Sequence, residues 1–139
     1  MVKENVELIV GDWSGDGHGK HDSFQFEVIV KDNRNVKQAL NEAEKIIEDK
    51  FDIDLSTWFE DYEDFYLSKE DTKKLIDLGV DFYKSDIQKD GRYACYGGAD
   101  EFFKIWKQLI MKADGNIEIH DIYFKPFESR CSGYGLYID

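Results

Sequence analysis

The residues of this chain with the strongest potential for chemistry lie in one glycine-rich segment, residues 11–22. It holds two of the three histidines and several oxygen-bearing side chains, so nitrogen and oxygen ligands occur together: Asp12, Ser14, Asp16, His18, His21 and Asp22. The segment separates two predicted strands, and a hairpin connection needs only about two to five residues. The excess length and the composition together predict a binding site, with Trp13 exposed on the same loop.

Divalent metal binding is one chemistry that this loop could support, because two histidines beside carboxylates resemble a zinc, manganese or iron ligand set. The candidate ligands are Asp12, Asp16, His18 and His21. His120, on a predicted strand, could approach them. Residues 12–17 also match the start of a calcium loop of the EF-hand type, but its twelfth position is Ser23 rather than glutamate. The alternative is a long turn shaped by glycine and aspartate, with solvated histidines.

An anionic ligand is the second possibility for this loop. Three alternating glycines precede Lys20, and successive backbone N–H groups can converge on an anion. The loop leads into a strand, however, whereas P-loops and dinucleotide folds hold phosphate at a helix N-terminus. Both of those folds are excluded, and the candidate cations for a small anionic ligand are Lys20, Arg92 and Arg130.

Nucleophilic catalysis has no support in the sequence. The chain lacks a Gly-x-Ser-x-Gly motif, and no neighbouring base marks Cys95 or Cys131 as a nucleophile. We interpret both cysteines as reduced thiols, and the protein as more typical of a binding protein than of an enzyme.

The net charge of −12 is concentrated in residues 48–71, which carry ten acidic residues against two lysines, a net charge of −8. Aromatic residues alternate with these acids. Such a surface repels nucleic acid and attracts basic protein surfaces. The predicted interaction residues are Trp13, Trp58, Glu60, Asp61, Tyr62, Glu63, Asp64 and Tyr66. The alternative is a solvated acidic face whose aromatic residues, which share one helical stripe over 56–67, pack in the core.

Hydrophobic periodicity predicts the elements that position these residues. Alternation indicates strands at 6–10 and 23–31 that pair as a hairpin, and later strands at 117–124 and 134–138. A period of 3.6 residues predicts helices from 36 to about 50, from 69 to 78 after the capping residue Ser68, and from 100 to about 113. The predicted core contains Phe26, Val28, Leu40, Ile47, Phe103, Trp106 and Leu109.

This order of elements predicts a single α+β domain spanning residues 1–139. An N-terminal hairpin and C-terminal strands form an antiparallel sheet, which three to four helices cover. The chain has no apolar run long enough for a membrane helix and no apolar leader, so we expect a cytoplasmic protein that does not enter membranes.

These observations favour a small acidic binding protein that inhibits or neutralises a partner with a basic surface, as immunity proteins and phage counter-defence factors do. The alternative hypothesis is a protein or enzyme that binds a metal or a small anion at the 11–22 loop.

Overall fold

The structure is a computed structural model that describes residues 1–11, 21–55, 66–96, 99–124 and 134–138. It is an α+β fold, as predicted. The strands are β1 (Val2–Gly11), β2 (His21–Val30), β3 (Tyr66–Leu67), β4 (Tyr93–Ala94), β5 (Ile117–Phe124) and β6 (Tyr134–Ile138). The helices are α1 (Val36–Asp49), α2 (Lys69–Asp77) and α3 (Ala99–Ala113), and a 3-10 turn spans Lys84–Asp86.

The main sheet has the strand order β5-β2-β1-β6, and every neighbouring pair is antiparallel. The predicted hairpin is confirmed, but its strands are longer than expected. The β1–β2 ladder extends from Val2 opposite Val30 to Gly11 opposite His21. Backbone pairing therefore includes both ends of the segment interpreted as a loop, and the connection contracts to residues 12–20. Strand pairing uses backbone groups, so polar side chains do not end it.

Two connections leave the main sheet at the end that carries Gly11. Residues 12–20 join β1 to β2 there, and residues 125–133 join β5 to β6, because Phe24 pairs with Phe124 and Val10 pairs with Tyr134. Residues 12–20 and 125–133 lie outside the described part of the chain. The sheet thus brings the attachment points of both connections to one end of the fold.

A second, two-stranded sheet corrects one prediction. The aromatic stripe at 56–67 suggests a helix, but Tyr66 and Leu67 form β3, which pairs with Tyr93 and Ala94 of β4. A long-range strand pairing outweighs local periodicity here, because the buried Leu67 packs in the core from a strand. Residues 56–65 lie outside the described residues.

The two capped helices begin where the sequence predicts. The Asn35 side chain accepts a hydrogen bond from the Gln38 N–H at 3.1 Å and begins α1. The Ser68 hydroxyl accepts one from the Asp71 N–H at 3.0 Å and begins α2. Each capping side chain provides a hydrogen-bond acceptor for a backbone N–H group that has no partner within the helix. The positions of α1 and α2 are thus fixed by local sequence.

The core lies between the main sheet and helices α1 and α3. Phe24 stacks on Phe103 with ring centroids 4.5 Å apart, and Trp106 packs edge-on against Phe26. All seven predicted core residues are buried. Helix α2, the residues directly after it and the small sheet add Leu67, Leu75, Val80 and Tyr93 to the same cluster. Within the described residues, no helix is both long and apolar enough to cross a membrane.

Candidate functional site

Most of the sequence-predicted site residues lie outside the described residues. They are Asp12, Trp13, Asp16, His18, Lys20, Trp58, Glu60, Asp61, Tyr62, Glu63, Asp64 and Arg130. Of the candidate metal ligands, His21 has a described backbone and stands opposite Gly11 at the start of β2. The loop site and the acidic-aromatic surface therefore remain predictions, and the described structure fixes where their ends attach.

The third histidine, His120, does not lie beside His21 in register. His120 stands opposite Glu27 on β2, six positions along that strand from His21. At about 3.3 Å per residue, that separation is about 20 Å. Metal ligands lie only about 2 Å from their ion, so His120 cannot complete a site with His21. Among the described residues, no group of three histidine, cysteine or acidic side chains could hold a metal ion.

The small sheet brings together two predicted site residues that the sequence analysis treats separately. The Arg92 guanidinium lies 5.0 Å from the centroid of the Tyr66 ring, and Tyr66 is 37% exposed. Arg92 also donates a hydrogen bond from Nε to Asp90 Oδ2 at 2.9 Å. The Arg92 N–H and guanidinium hold the pKa of Asp90 below its usual value. Arg92 is therefore already engaged by a carboxylate and an aromatic face.

A groove of about 380 Å³ lies beside the C-terminal half of α1, where the sequence predicts no site. It is lined by Asn41, Glu44, Lys45, Glu48, Ile53, Asp54 and Leu55. Ile53 and Leu55 are buried and form its apolar part. Among the described lining residues, its charged part combines three carboxylates with one ammonium group. We call this feature the acidic groove; Leu55, its last described lining residue, directly precedes the acidic segment 56–65 in the sequence.

Glu44 is the electrostatically distinctive residue of the acidic groove. Helical periodicity places Glu44 off the apolar face of α1, but the structure half-buries it. Burial raises the pKa of Glu44 to about 7, because a carboxylate loses solvation when it leaves water. The charge of the groove therefore changes close to neutral pH. The sequence signal that indicates the groove is the alternation of Ile53 and Leu55 with acidic residues directly after α1.

A buried polar cluster lies at the start of α3, beside the small sheet. The Tyr93 hydroxyl donates a hydrogen bond to Glu101, and both residues are buried. Cys95 is a free, buried thiol, and its burial together with the charge of Glu101 raises its pKa well above the usual range. A thiol that stays protonated is a poor nucleophile. The cluster therefore has a structural role, in agreement with the expected reduced thiol.

The chain matches no family model, no curated protein and no solved structure. Its function must therefore be argued from the charges and shape of its own surface.

Proposed function

We propose that this protein binds a basic surface of another protein in the cytoplasm, and that this binding inhibits or neutralises the partner. The observation that carries the proposal is the acidic groove, in which Glu44, Glu48 and Asp54 lie around Lys45, the one cation among the described lining residues. Residues 56–65 follow the groove in sequence and add four acidic residues and no basic one. Negative charge is thus concentrated in one stretch of the sequence.

The shape and chemistry of the acidic groove suit a lysine or arginine side chain of the partner. Such side chains have an apolar stem and a charged head, and they bury the stem against apolar surface while the head stays polar. In the groove, the buried Ile53 and Leu55 offer the apolar contact and the carboxylates offer the ionic one. The volume of about 380 Å³ lies within the range of ligand pockets.

The predicted aromatic residues of the acidic segment would supply most of the affinity. Aromatic side chains dominate the binding energy of many protein interfaces, whereas charges mainly steer the encounter. The described member, Tyr66, is partly exposed and lies against Arg92. An acidic surface is also unsuited to nucleic acid, whose phosphates it repels. A protein partner therefore fits this surface best.

The proposal is tested by reversing one charge in the acidic groove and one elsewhere. The partner is first captured from the native cell on the immobilised protein and identified by mass spectrometry. We expect Glu48→Lys to slow association about three- to tenfold at low salt, because it removes attraction and adds repulsion. Asp77→Lys is the matched control, since Asp77 is exposed and also lies in the last turn of its helix.

Salt dependence provides the second arm of this test. The wild-type association rate should fall steeply as ionic strength rises to physiological values, because exposed charges are screened beyond about 8–10 Å there. An association rate that is indifferent to salt, or equal slowing by Glu48→Lys and Asp77→Lys, would contradict the proposal.

A further inference from the structure

The outer edge of β5 has no neighbour among the described strands, because β5 pairs with β2 alone. From Ile117 to Asp121 its pairing with β2 is regular, and a bulge follows at Ile122. Proteins usually protect sheet edges with lysine, proline or an early bulge. The strand contains neither lysine nor proline, and its bulge follows five regularly paired residues. This edge therefore presents a regular row of backbone donors and acceptors.

The side chains of β5 are divided between the two faces of the sheet. Residues opposite each other in an antiparallel ladder share a face. Ile119 is opposite the buried Val28, so it lies on the face covered by helices. Glu118 and His120 therefore lie on the other face, where their side chains are 42% and 57% exposed. The edge carries one acidic and one imidazole side chain, two positions apart.

This pattern is complementary to itself in one register. When two copies of β5 pair antiparallel about a two-fold axis, residues opposite each other must lie on the same face of the joined sheet. The axis must therefore pass through a residue position and not between two residues. Centring on Glu118 sets like charges opposite each other, and centring on His120 sets the two imidazoles opposite each other. Centring on Ile119 sets Glu118 of each copy opposite His120 of the other, and pairs the two β-branched isoleucines.

The contacts within one copy are compatible with that register. Glu118 Oε1 is engaged by Lys31 at 2.8 Å, whereas its Oε2 is 3.4 Å from the His120 Nε2. The second oxygen is therefore directed toward an imidazole at a long distance. On the helix side, Lys107 holds Asp121 at 2.8 Å, and Met111, one turn later on α3, is 37% exposed. An exposed apolar side chain thus lies near the same edge.

We propose that two copies of this chain associate through β5 and join their four-stranded sheets into one continuous sheet. The occupant of the edge is a second copy, because the charge pattern of β5 fits itself. The paired segment is short, so the dimer belongs to the weak class of interfaces. This proposal is independent of the acidic groove, which lies on α1 and the segment that follows it.

Sedimentation equilibrium of the full chain tests the proposal. Between about 10 μM and about 1 mM, the wild-type mass should rise from 16.3 kDa toward twice that value. We expect His120→Glu to weaken association at least about tenfold, because two glutamate pairs then face each other across the axis. Glu118→Lys combined with His120→Glu should restore association, since opposite charges again face each other. Lys37→Gln, an exposed change of one charge on α1, should leave association unchanged.

Circular dichroism and thermal melting confirm that each variant is folded. If His120→Glu does not fold, Glu118→Lys tests the same contact, since it sets lysine opposite histidine and should also weaken association. A mass of 16.3 kDa throughout the concentration range overturns the proposal. A dimer that neither variant weakens, or a double variant that remains as weak as His120→Glu, overturns it as well.

Discussion

The beginning of α1 and its C-terminal half both gather carboxylates, but with opposite results. Before the first turn, Arg34 contacts Asp32 at 2.8 Å, Glu42 at 2.7 Å and Asp114 at 2.5 Å, so one cation is shared by three anions. In the acidic groove, the described lining residues include three carboxylates and one lysine. The first arrangement links parts of the fold, whereas the second lines an open groove, to which we assign the binding of a basic partner as a proposal.

Two glutamates of α1, two positions apart, show the same contrast in their pKa values. Hydrogen bonds from Gln38 and then Arg34 lower the pKa of Glu42. Burial raises the pKa of Glu44 to about 7. A paired carboxylate stabilises the fold in its charged form, whereas a desolvated one opposes its own ionisation. Groups of the second kind are common at functional sites, which agrees with the groove as a binding surface.

Removing Arg34 should have the largest effect on stability. Arg34→Ala leaves three carboxylates close together and removes the ion pair that links the turn after β2 to Asp114 at the end of α3. The contacts are partly exposed, so we expect a loss of about 2 kcal/mol, measured by urea unfolding at pH 7.

Arg92→Ala is the matched control for that measurement, because Arg92 pairs with one exposed carboxylate and an exposed ring. It should cost less than half as much. Equal losses for the two variants would show that the Arg34 cluster stabilises the fold no more than an ordinary surface ion pair does.

The Arg34 cluster also shows which contacts local sequence cannot predict. Arg34 reads as part of a turn between β2 and α1, and its partners lie 2, 8 and 80 positions away. By contrast, strand alternation and the caps at Asn35 and Ser68 depend on neighbours in sequence, so those elements are predicted correctly. The contact between Arg34 and Asp114, which are 80 positions apart, depends on α3 packing beside α1. No local sequence pattern encodes that packing.

The acidic groove is missed in the sequence for the same reason. Helical periodicity assigns Glu44 to the polar side of α1, but Ile53 and Leu55, from the segment that follows the helix, line the same groove. Tyr66 is placed in a helical stripe by its spacing but lies in a strand, because its partner in β4 is distant in sequence. Local periods predict elements well and predict the contacts between irregular segments poorly.

Replacing Glu44 should have a smaller effect with a distinct pH dependence. The folded-state pKa of about 7 exceeds the reference value of 4.5, so the folded state binds the extra proton between these values. The stability that the uncharged form of Glu44 contributes is therefore fully present below about pH 4.5, and it is lost as the pH rises through 7. Glu44→Gln removes this loss, and we expect a gain of about 1 kcal/mol at pH 8, discounted for residual solvation, and none at pH 4.5.

Glu48→Gln, an exposed substitution one turn later on the same helix, is the control for the loss of one negative charge. The pH dependence of binding tests Glu44 as well. Association with a basic partner should become faster as the pH rises through 7, because Glu44 then gains its charge while the fold loses stability. A wild-type pH profile identical to that of Glu44→Gln, in both unfolding and association, would show that Glu44 is not part of the binding surface.

The smallest effect on stability is expected at the connection between β1 and β2, which is part of neither the Arg34 cluster nor the acidic groove. We expect replacement of Asp12, Asp16, His18 and His21 by alanine to change the free energy of unfolding by less than about 0.5 kcal/mol. The β1–β2 ladder is made by backbone groups up to Gly11 and His21, and these remain. Loop closure costs only about 0.6 kcal/mol per doubling of length, so the length of the connection contributes little to stability.

Binding separates the two explanations of this connection. If it is a functional site, the fourfold variant should retain the wild-type melting curve and lose binding of the captured partner, or of zinc measured by calorimetry. A large loss of stability, with binding intact in the folded fraction, would mean that these side chains only pin the turn. The acidic groove would then be the remaining candidate, because its carboxylates are positioned by α1 and the buried residues after it, independently of residues 12–20.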